Sequence, residues 1–199
     1  MELVRGYASE GKTYRHKAKF TEDLLDNERI LKALNIEAGQ TILDAGCGNG
    51  YMSKLFAEEV TQSGKVYALD TDPYFLNVLR DETQGTSIEA IDGDITKTTL
   101  VKASSVDLIY VSTVIHVFSK TQKQGFLREA KRLLKPDAML AIVKIEKKPT
   151  PFGPPLEFRY SPEELKEIVP LVPVKTVKAG EHFYMQVFRN LVSTQIAKD

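Results

Sequence analysis

Thr41-Ile42-Leu43-Asp44-Ala45-Gly46-Cys47-Gly48-Asn49-Gly50 is an apolar run that ends in a carboxylate and breaks into three glycines at alternate positions. The run has the length and character of a buried strand, and the glycines mark the turn that leaves it. Without a Cβ at Gly46, Gly48 and Gly50, a nucleotide-like ligand can approach the peptide groups of the turn, and a helix can begin close behind it. The chemistry of the chain is expected at this turn.

A glycine-rich turn alone is a weak signal, and the acidic positions that follow decide its meaning. Gly64-Lys65-Val66-Tyr67-Ala68-Leu69-Asp70-Thr71-Asp72-Pro73 is a second apolar strand closed by a carboxylate, at the distance where a ribose-binding acid is expected. Ser87-Ile88-Glu89-Ala90-Ile91 then runs into Asp92-Gly93-Asp94-Ile95, a third strand closed by acids and glycine. Asp44, Asp70 and Asp94 thus fall on one edge of a sheet, which suits a ligand bearing an ammonium, a ribose diol and an adenine amine. That set of groups favours S-adenosylmethionine over a dinucleotide.

With Leu-Asp-Ala-Gly-Cys-Gly-Asn-Gly, Val-Tyr-Ala-Leu-Asp-Thr-Asp-Pro and Ile-Asp-Gly-Asp-Ile in this order, the chain resembles the class I (Rossmann-like) S-adenosylmethionine-dependent methyltransferases, in particular their small ubiquinone/menaquinone-type branch. Val106 to Ser112 is similar to the family's fourth strand, and Phe126 to Ile145 to its last crossover helix and fifth strand. Phe152-Gly153-Pro154-Pro155-Leu156-Glu157 is similar to a segment of some members. The resemblance implies that S-adenosyl-L-methionine is the cofactor and S-adenosyl-L-homocysteine the product. It also implies a cofactor site made of Asp44, Gly46, Gly48, Gly50, Asp70, Thr71, Gly93, Asp94, Ile95 and Ser112. Asp44 and Gly46 would hold the methionine ammonium, and Asp70 both ribose hydroxyls. Gly93, Asp94 and Ile95 would flank the adenine. The competing reading is that the acids cap helices or close turns.

Bulk properties agree with one domain spanning residues 1–199, since 199 residues at 42% hydrophobic build one core and leave little for a second. Lys plus Arg and Asp plus Glu balance at 27 each, so no global field draws the chain to nucleic acid or an anionic membrane. No apolar run approaches a membrane span, the first residues lack the apolar core of a signal peptide, and the single Cys47 fits a reducing compartment, so a cytoplasmic protein is expected. That lone cysteine also leaves no cysteine-built metal site, and none is expected.

Along the chain, Thr21 to Leu34 carries apolar residues at helical spacing, and Met52, Leu55, Phe56 and Val60 make a stripe after the glycine turn. Phe75, Leu76 and Leu79 repeat the pattern after Pro73. Phe126, Ala130, Leu133 and Leu134 form a helix that stops at Lys135-Pro136, followed by a strand from Met139 to Ile145. Where the family often has Gly-Gly after that proline, this chain has Asp137-Ala138. Ser161-Pro162-Glu163-Glu164 is a capping box opening a helix to about Val169. Val174 to Val177 and Phe183 to Phe188 read as a closing hairpin. Alternating strands and helices require right-handed crossovers. The expected fold is α/β, a three-layer sandwich whose mostly parallel seven-stranded sheet has an antiparallel last strand and helices on both faces.

His116, just past the fourth strand, is the candidate catalytic base for a phenol, enol or amine acceptor, its alternative being a packed histidine among Val114, Ile115, Val117 and Phe118. His182 can line an acceptor pocket or sit half-buried in the hairpin. Residues 1–20, with His16 among cations and aromatics, are a candidate lid, and 147–156 a candidate wall. No Asn/Asp-Pro-Pro-Tyr/Phe motif follows the fourth strand, where Ser112-Thr113-Val114-Ile115 stands, so amines of nucleic-acid bases are not expected targets. A small-molecule methyl acceptor and a monomer or homodimer remain. The competing functions are a cofactor-binding but inactive interaction subunit and an NAD-binding dehydrogenase. The latter is disfavoured because Gly46, Gly48 and Gly50 lack the third glycine at dinucleotide spacing and Asp44 precedes them.

Overall fold

The computed structural model describes residues 22–191. Its centre is a strand buried on both faces, β1 (Thr41–Ala45), which is why the sequence there is continuously apolar rather than alternating. Beside it lie β2 (Lys65–Asp70) and β3 (Ile88–Asp92) on one side and β4 (Val106–Ser112) and β5 (Leu134–Ile145) on the other, followed by β6 (Val172–Lys178) and β7 (Phe183–Arg189). The order across the sheet is β3-β2-β1-β4-β5-β7-β6. β1 to β5 pair in parallel, whereas β7 runs antiparallel between β5 and β6, so the antiparallel last strand and closing hairpin take their expected places.

The chain winds outward from β1 to β3 and then returns to β4 on the other side of β1. This reversal opens a crevice beyond the carboxyl ends of β1 and β4, the place where open α/β sheets bind ligands. One face of the sheet carries Phe56 and Val60 of α2 (Tyr51–Val60) and Ile30 and Leu34 of α1 (Asn27–Leu34), packed on Ile42, Leu108 and Tyr110. The opposite face carries Phe126, Ala130 and Leu133 of α4 (Lys120–Leu133) and Leu165 of α5 (Pro162–Ile168), packed on Leu43, Ile109 and Ile142. Leu76 and Leu79 of α3 (Pro73–Glu82) pack on Ala68 and Cys47.

The helix boundaries follow their caps. Asp72 accepts from the Tyr74 N–H ahead of Pro73, and Ser119/Gln122 and Ser161/Glu164 form reciprocal capping boxes. The helix expected from Thr21 to Leu34 is instead a short 3₁₀ turn at Glu22–Leu24 and a separate α1, because Asp26 caps α1 through the Arg29 N–H and gives its own N–H to the Ala179 carbonyl. Helix α4 ends at Leu133, and β5 begins at once, earlier than Met139. Within this start Asp137 takes φ 62, the left-handed conformation that glycine adopts most readily. Between the pairs Val106↔Leu134 and Leu108↔Met139 the register shifts, and the extra residues bulge there. The proposed lid at residues 1–20, including His16, lies outside the described residues.

Candidate functional site

The turn after β1 is fixed from below by β2: the Gly46 and Cys47 N–H groups both donate to the Leu69 carbonyl, at 2.7 and 3.1 Å. Its glycines serve the protein's own packing first. At Gly46 (φ 80) a Cβ would meet Val114 Cγ2 at 2.5 Å, and at Gly50 (φ 74) it would meet Leu79 Cδ1 at 2.4 Å. The glycines therefore let the β4 turn and α3 close on the loop, which brings Asp44, Asp70 and Ser112 to one edge.

A cleft opens there, walled by Asp44, Gly46 and Cys47 from the β1 turn, Asn49, Tyr51 and Met52 leading into α2, Tyr110 and Ser112 from β4, and Leu25 and Asn27 at the start of α1. Asp44 is 3% exposed, and one of its oxygens accepts the Ser53 hydroxyl at 2.6 Å. Burial, reinforced by the nearby Asp70 charge and only partly offset by Ser53, pushes its pKa up to about 7. A carboxylate so placed is stabilised in its charged form by a cation entering the cleft. Cys47 is also buried, and desolvation together with Asp44 and Asp70 pushes its thiol well above the usual range, so it is held as the neutral thiol.

Asp70 closes β2 and braces the glycine turn, accepting the Gly48 N–H at 2.8 Å and the Asp72 N–H at 3.0 Å through different oxygens. Each oxygen keeps a second lone pair for another donor. Thr71 is exposed beside it. At the end of β3, Gly93 donates to the Asp70 carbonyl at 3.0 Å and Ile95 is buried. One oxygen of Asp94 accepts both the N–H and the hydroxyl of Thr96, at 2.9 and 2.7 Å, and the other faces Lys97 at 3.6 Å. Burial works to raise the Asp94 pKa, but the Thr96 hydrogen bonds and Lys97 outweigh it and hold the carboxyl below its usual range. Thus of the expected site residues Asp44, Gly46 and Ser112 wall the cleft, whereas Gly48, Gly50 and Asp70 belong to the turn and its brace without lining it, and Thr71, Gly93, Asp94 and Ile95 lie along the neighbouring strand ends.

His116 sits apart, in the 3₁₀ turn Ile115–Val117 after β4. Burial and the charge of Lys144 lower its pKa to about 4, so the imidazole is neutral at physiological pH and a weaker base than one tuned near neutrality. His182 stacks edge-on against Phe152 at 5.5 Å, joining the hairpin to the 147–156 segment. That segment is folded around Arg159, whose guanidinium donates to the carbonyls of Glu146, Lys148, Phe152 and Pro154. Tyr110, Asn27 and Tyr51 were not singled out from sequence. Tyr110 leaves a faint trace, as a tyrosine in the otherwise aliphatic core of β4, and its hydroxyl and that of Ser112 find no hydrogen bond of ordinary geometry among the described residues. Asn27 donates to the Tyr51 hydroxyl at 3.3 Å, a meeting of two helix starts that no local pattern encodes.

Residues 42–137 match the methyltransferase domain family. A solved S-adenosylmethionine-dependent methyltransferase from Aquifex aeolicus superposes with a TM-score of 0.77 at 28% identity, covering 86% of this chain and 93% of that one. Among curated proteins, the ubiquinone/menaquinone biosynthesis C-methyltransferase of Paraburkholderia phymatum is 32% identical over 57% of this chain and 46% of its own length. The protein-L-isoaspartate O-methyltransferase of Aeropyrum pernix is 37% identical over 33% of this chain and 27% of its own. The chain thus spans between about a quarter and a half of the length of these curated relatives. The cleft fits the cofactor of such methyltransferases on its own terms, because among the described residues no cation pairs with the buried Asp44, and the Tyr110 and Ser112 hydroxyls can offer hydrogen bonds to a polar ligand. Residues 42–137 carry a methyltransferase domain, and the chain is similar to S-adenosylmethionine-dependent methyltransferases, those of ubiquinone/menaquinone biosynthesis among them.

Proposed function

We propose that this protein transfers a methyl group from S-adenosylmethionine to a small-molecule acceptor. The observation that carries this reading is Asp44: a buried carboxylate with raised pKa, in the wall of a cleft at the topological switch point, complementary to the ammonium of an amino-acid moiety. Asp70, at the end of the next strand, is positioned for the ribose diol, with Gly93, Asp94 and Ile95 along the edge beyond it. Ser112 and Tyr110 supply polar contacts on the β4 side.

When bound, the sulfonium presents a methyl carbon already activated toward displacement. What remains for the chain is to orient and to desolvate. Asp44 would hold the amino-acid end of the cofactor and Asp70 its ribose. The apolar turn Val114-Ile115 and the Phe152 segment would exclude water from the acceptor side. The chain would then need only to hold the acceptor's nucleophile at the correct distance, and His116, neutral at physiological pH, could accept its proton.

A small acceptor is supported by the even charge balance, which supplies no field for nucleic acid. Cytoplasmic residence is supported by the free, buried Cys47, and among the described residues no helix is long and apolar enough to cross a membrane. The test is transfer of label from methyl-labelled S-adenosylmethionine into a host extract separated into metabolite, lipid, protein and RNA fractions, with Asp70→Ala as the blank. Label is expected in the metabolite fraction. Label confined to protein, as the name of the Aeropyrum relative would suggest, breaks the small-molecule reading; cofactor binding without label in any fraction makes the chain an inactive subunit.

A further inference from the structure

The aliphatic end of β5 is interrupted by a cation. Lys144 is 1% exposed, and its ammonium makes no hydrogen bond among the described residues. An unpartnered cation taken out of water is costly and is rarely kept without a role. Its neighbour Val143 packs on the Tyr110 face of the sheet, so Lys144 points to the opposite face, toward α4 and α5.

The groups around it come from four elements. The Tyr160 ring, ahead of α5, lies 5.6 Å from Lys144 Nζ, and Lys123 of α4 places its own ammonium 5.1 Å from the same ring. His116, in the turn after β4, feels the Lys144 charge. Tyr184 of β7 is directly opposite in register, with its hydroxyl donating to the Tyr160 carbonyl at 2.6 Å. Glu163 and Glu164 of α5 act on Tyr184 but not on Lys144, and Glu164 is paired with Lys147. Among the described residues this cluster therefore gathers two ammonium groups and a histidine, and no carboxylate acts on Lys144. Burial, aided by Lys123, lowers the Lys144 pKa to about 7, as expected for a cation awaiting an anion.

The sheet separates Lys144 from the Tyr110 and Ser112 wall of the cleft, and the turn after β4 joins the two sides. The turn that presses Val114 against Gly46 carries His116 two residues later. We propose that the Lys144 amine, flanked by His116 and Lys123, receives an acidic oxygen of the methyl acceptor, a carboxylate or an ionised phenol or enol, and so selects anionic acceptors. The proposal rests on the small-molecule reading above. Lys144 acts here as a specificity-determining residue, and an acceptor reaches it by displacing the turn at residues 113–118.

The test uses the full chain saturated with S-adenosylhomocysteine, with benzoate as an anionic probe and benzamide as its uncharged counterpart, each at millimolar concentration near pH 7. Benzoate is expected to raise the melting temperature of the wild-type protein by at least 2 °C and benzamide not to. Lys144→Met should abolish the benzoate shift, while Lys144→Arg retains part of it. Equal shifts by benzoate and benzamide, a full benzoate shift in Lys144→Met, or no benzoate shift in the wild type overturns the proposal. The wild-type comparison of the two probes stands even if a variant does not fold. Label in the protein or RNA fraction alongside an intact benzoate shift breaks only the small-molecule reading. Label among metabolites with no benzoate effect breaks only the role of Lys144.

Discussion

Asp44 shows what burial does to one carboxyl group. Its folded pKa of about 7 stands above the ordinary 3.8, so the folded protein keeps a proton that the unfolded chain releases near pH 4. This group therefore favours the fold at low pH, and the contribution is lost as pH rises from about 4 to about 7. Cofactor binding runs the other way, since an ammonium needs the ionised form. Affinity for S-adenosylhomocysteine should rise as pH climbs through 7 and then level, and binding near pH 6.5 should release a proton. Calorimetric titration in two buffers of different ionisation enthalpy reads that proton; pH-independent binding with none released rules out the ammonium contact. Asp44→Asn keeps the Ser53 hydrogen bond but lacks the charge, and should weaken binding by about 1.5–3 kcal/mol. Asp70→Ala removes the proposed ribose acceptor and the brace on the Gly48 N–H, and a loss of about 2–4 kcal/mol is expected. An unchanged dissociation constant for that variant would remove Asp70 from the cofactor site.

Among the elements, α4 contains a residue whose value no propensity scale predicts. Gly125 is buried in the middle of the helix, where glycine costs roughly 1 kcal/mol relative to alanine. A Cβ there would lie 2.0 Å from the Thr96 carbonyl oxygen, so the glycine is what lets the loop after β3 rest on α4. That loop also carries Asp94 and is tied to the same helix by Glu129, which accepts the Thr99 N–H and hydroxyl, each at 2.8 Å, and pairs with Arg132. Gly125→Ala should destabilise the protein by about 2 kcal/mol or more in chemical denaturation, against the gain that helix propensity alone forecasts. A stabilised variant would mean that α4 and the loop are not in contact.

At the scale of the whole molecule, ligand and fold are linked by mass action. S-adenosylhomocysteine at about 100 times its dissociation constant should add roughly 2.7 kcal/mol to stability, which for a chain of this size is a melting-temperature rise on the order of 5–10 °C. NAD should give no shift, and a shift of similar size with NAD would restore the dehydrogenase reading. The parallel sheet with its reversal between β1 and β4 explains why the ligand site lies at one edge: only there do the turns after strands from both halves converge.

The order of strands and helices, the turn after β1, the Ser161 capping box and the antiparallel end of the sheet were legible in the sequence, because each is written in contiguous residues: apolar period, a cap, a proline or glycine at a fixed offset. The resemblance to S-adenosylmethionine-dependent methyltransferases was legible for the same reason, through three short motifs. The tertiary structure alone decided that Gly46 and Gly50 make room for Val114 and Leu79, that Tyr110, Asn27 and Tyr51 belong to the cleft wall, and that His116 is neutral while Asp44 and Lys144 are poised near neutrality. These depend on desolvation and on contacts between residues far apart in the chain. Burial of a charge is a property of the surrounding volume, and no local pattern of residues records it.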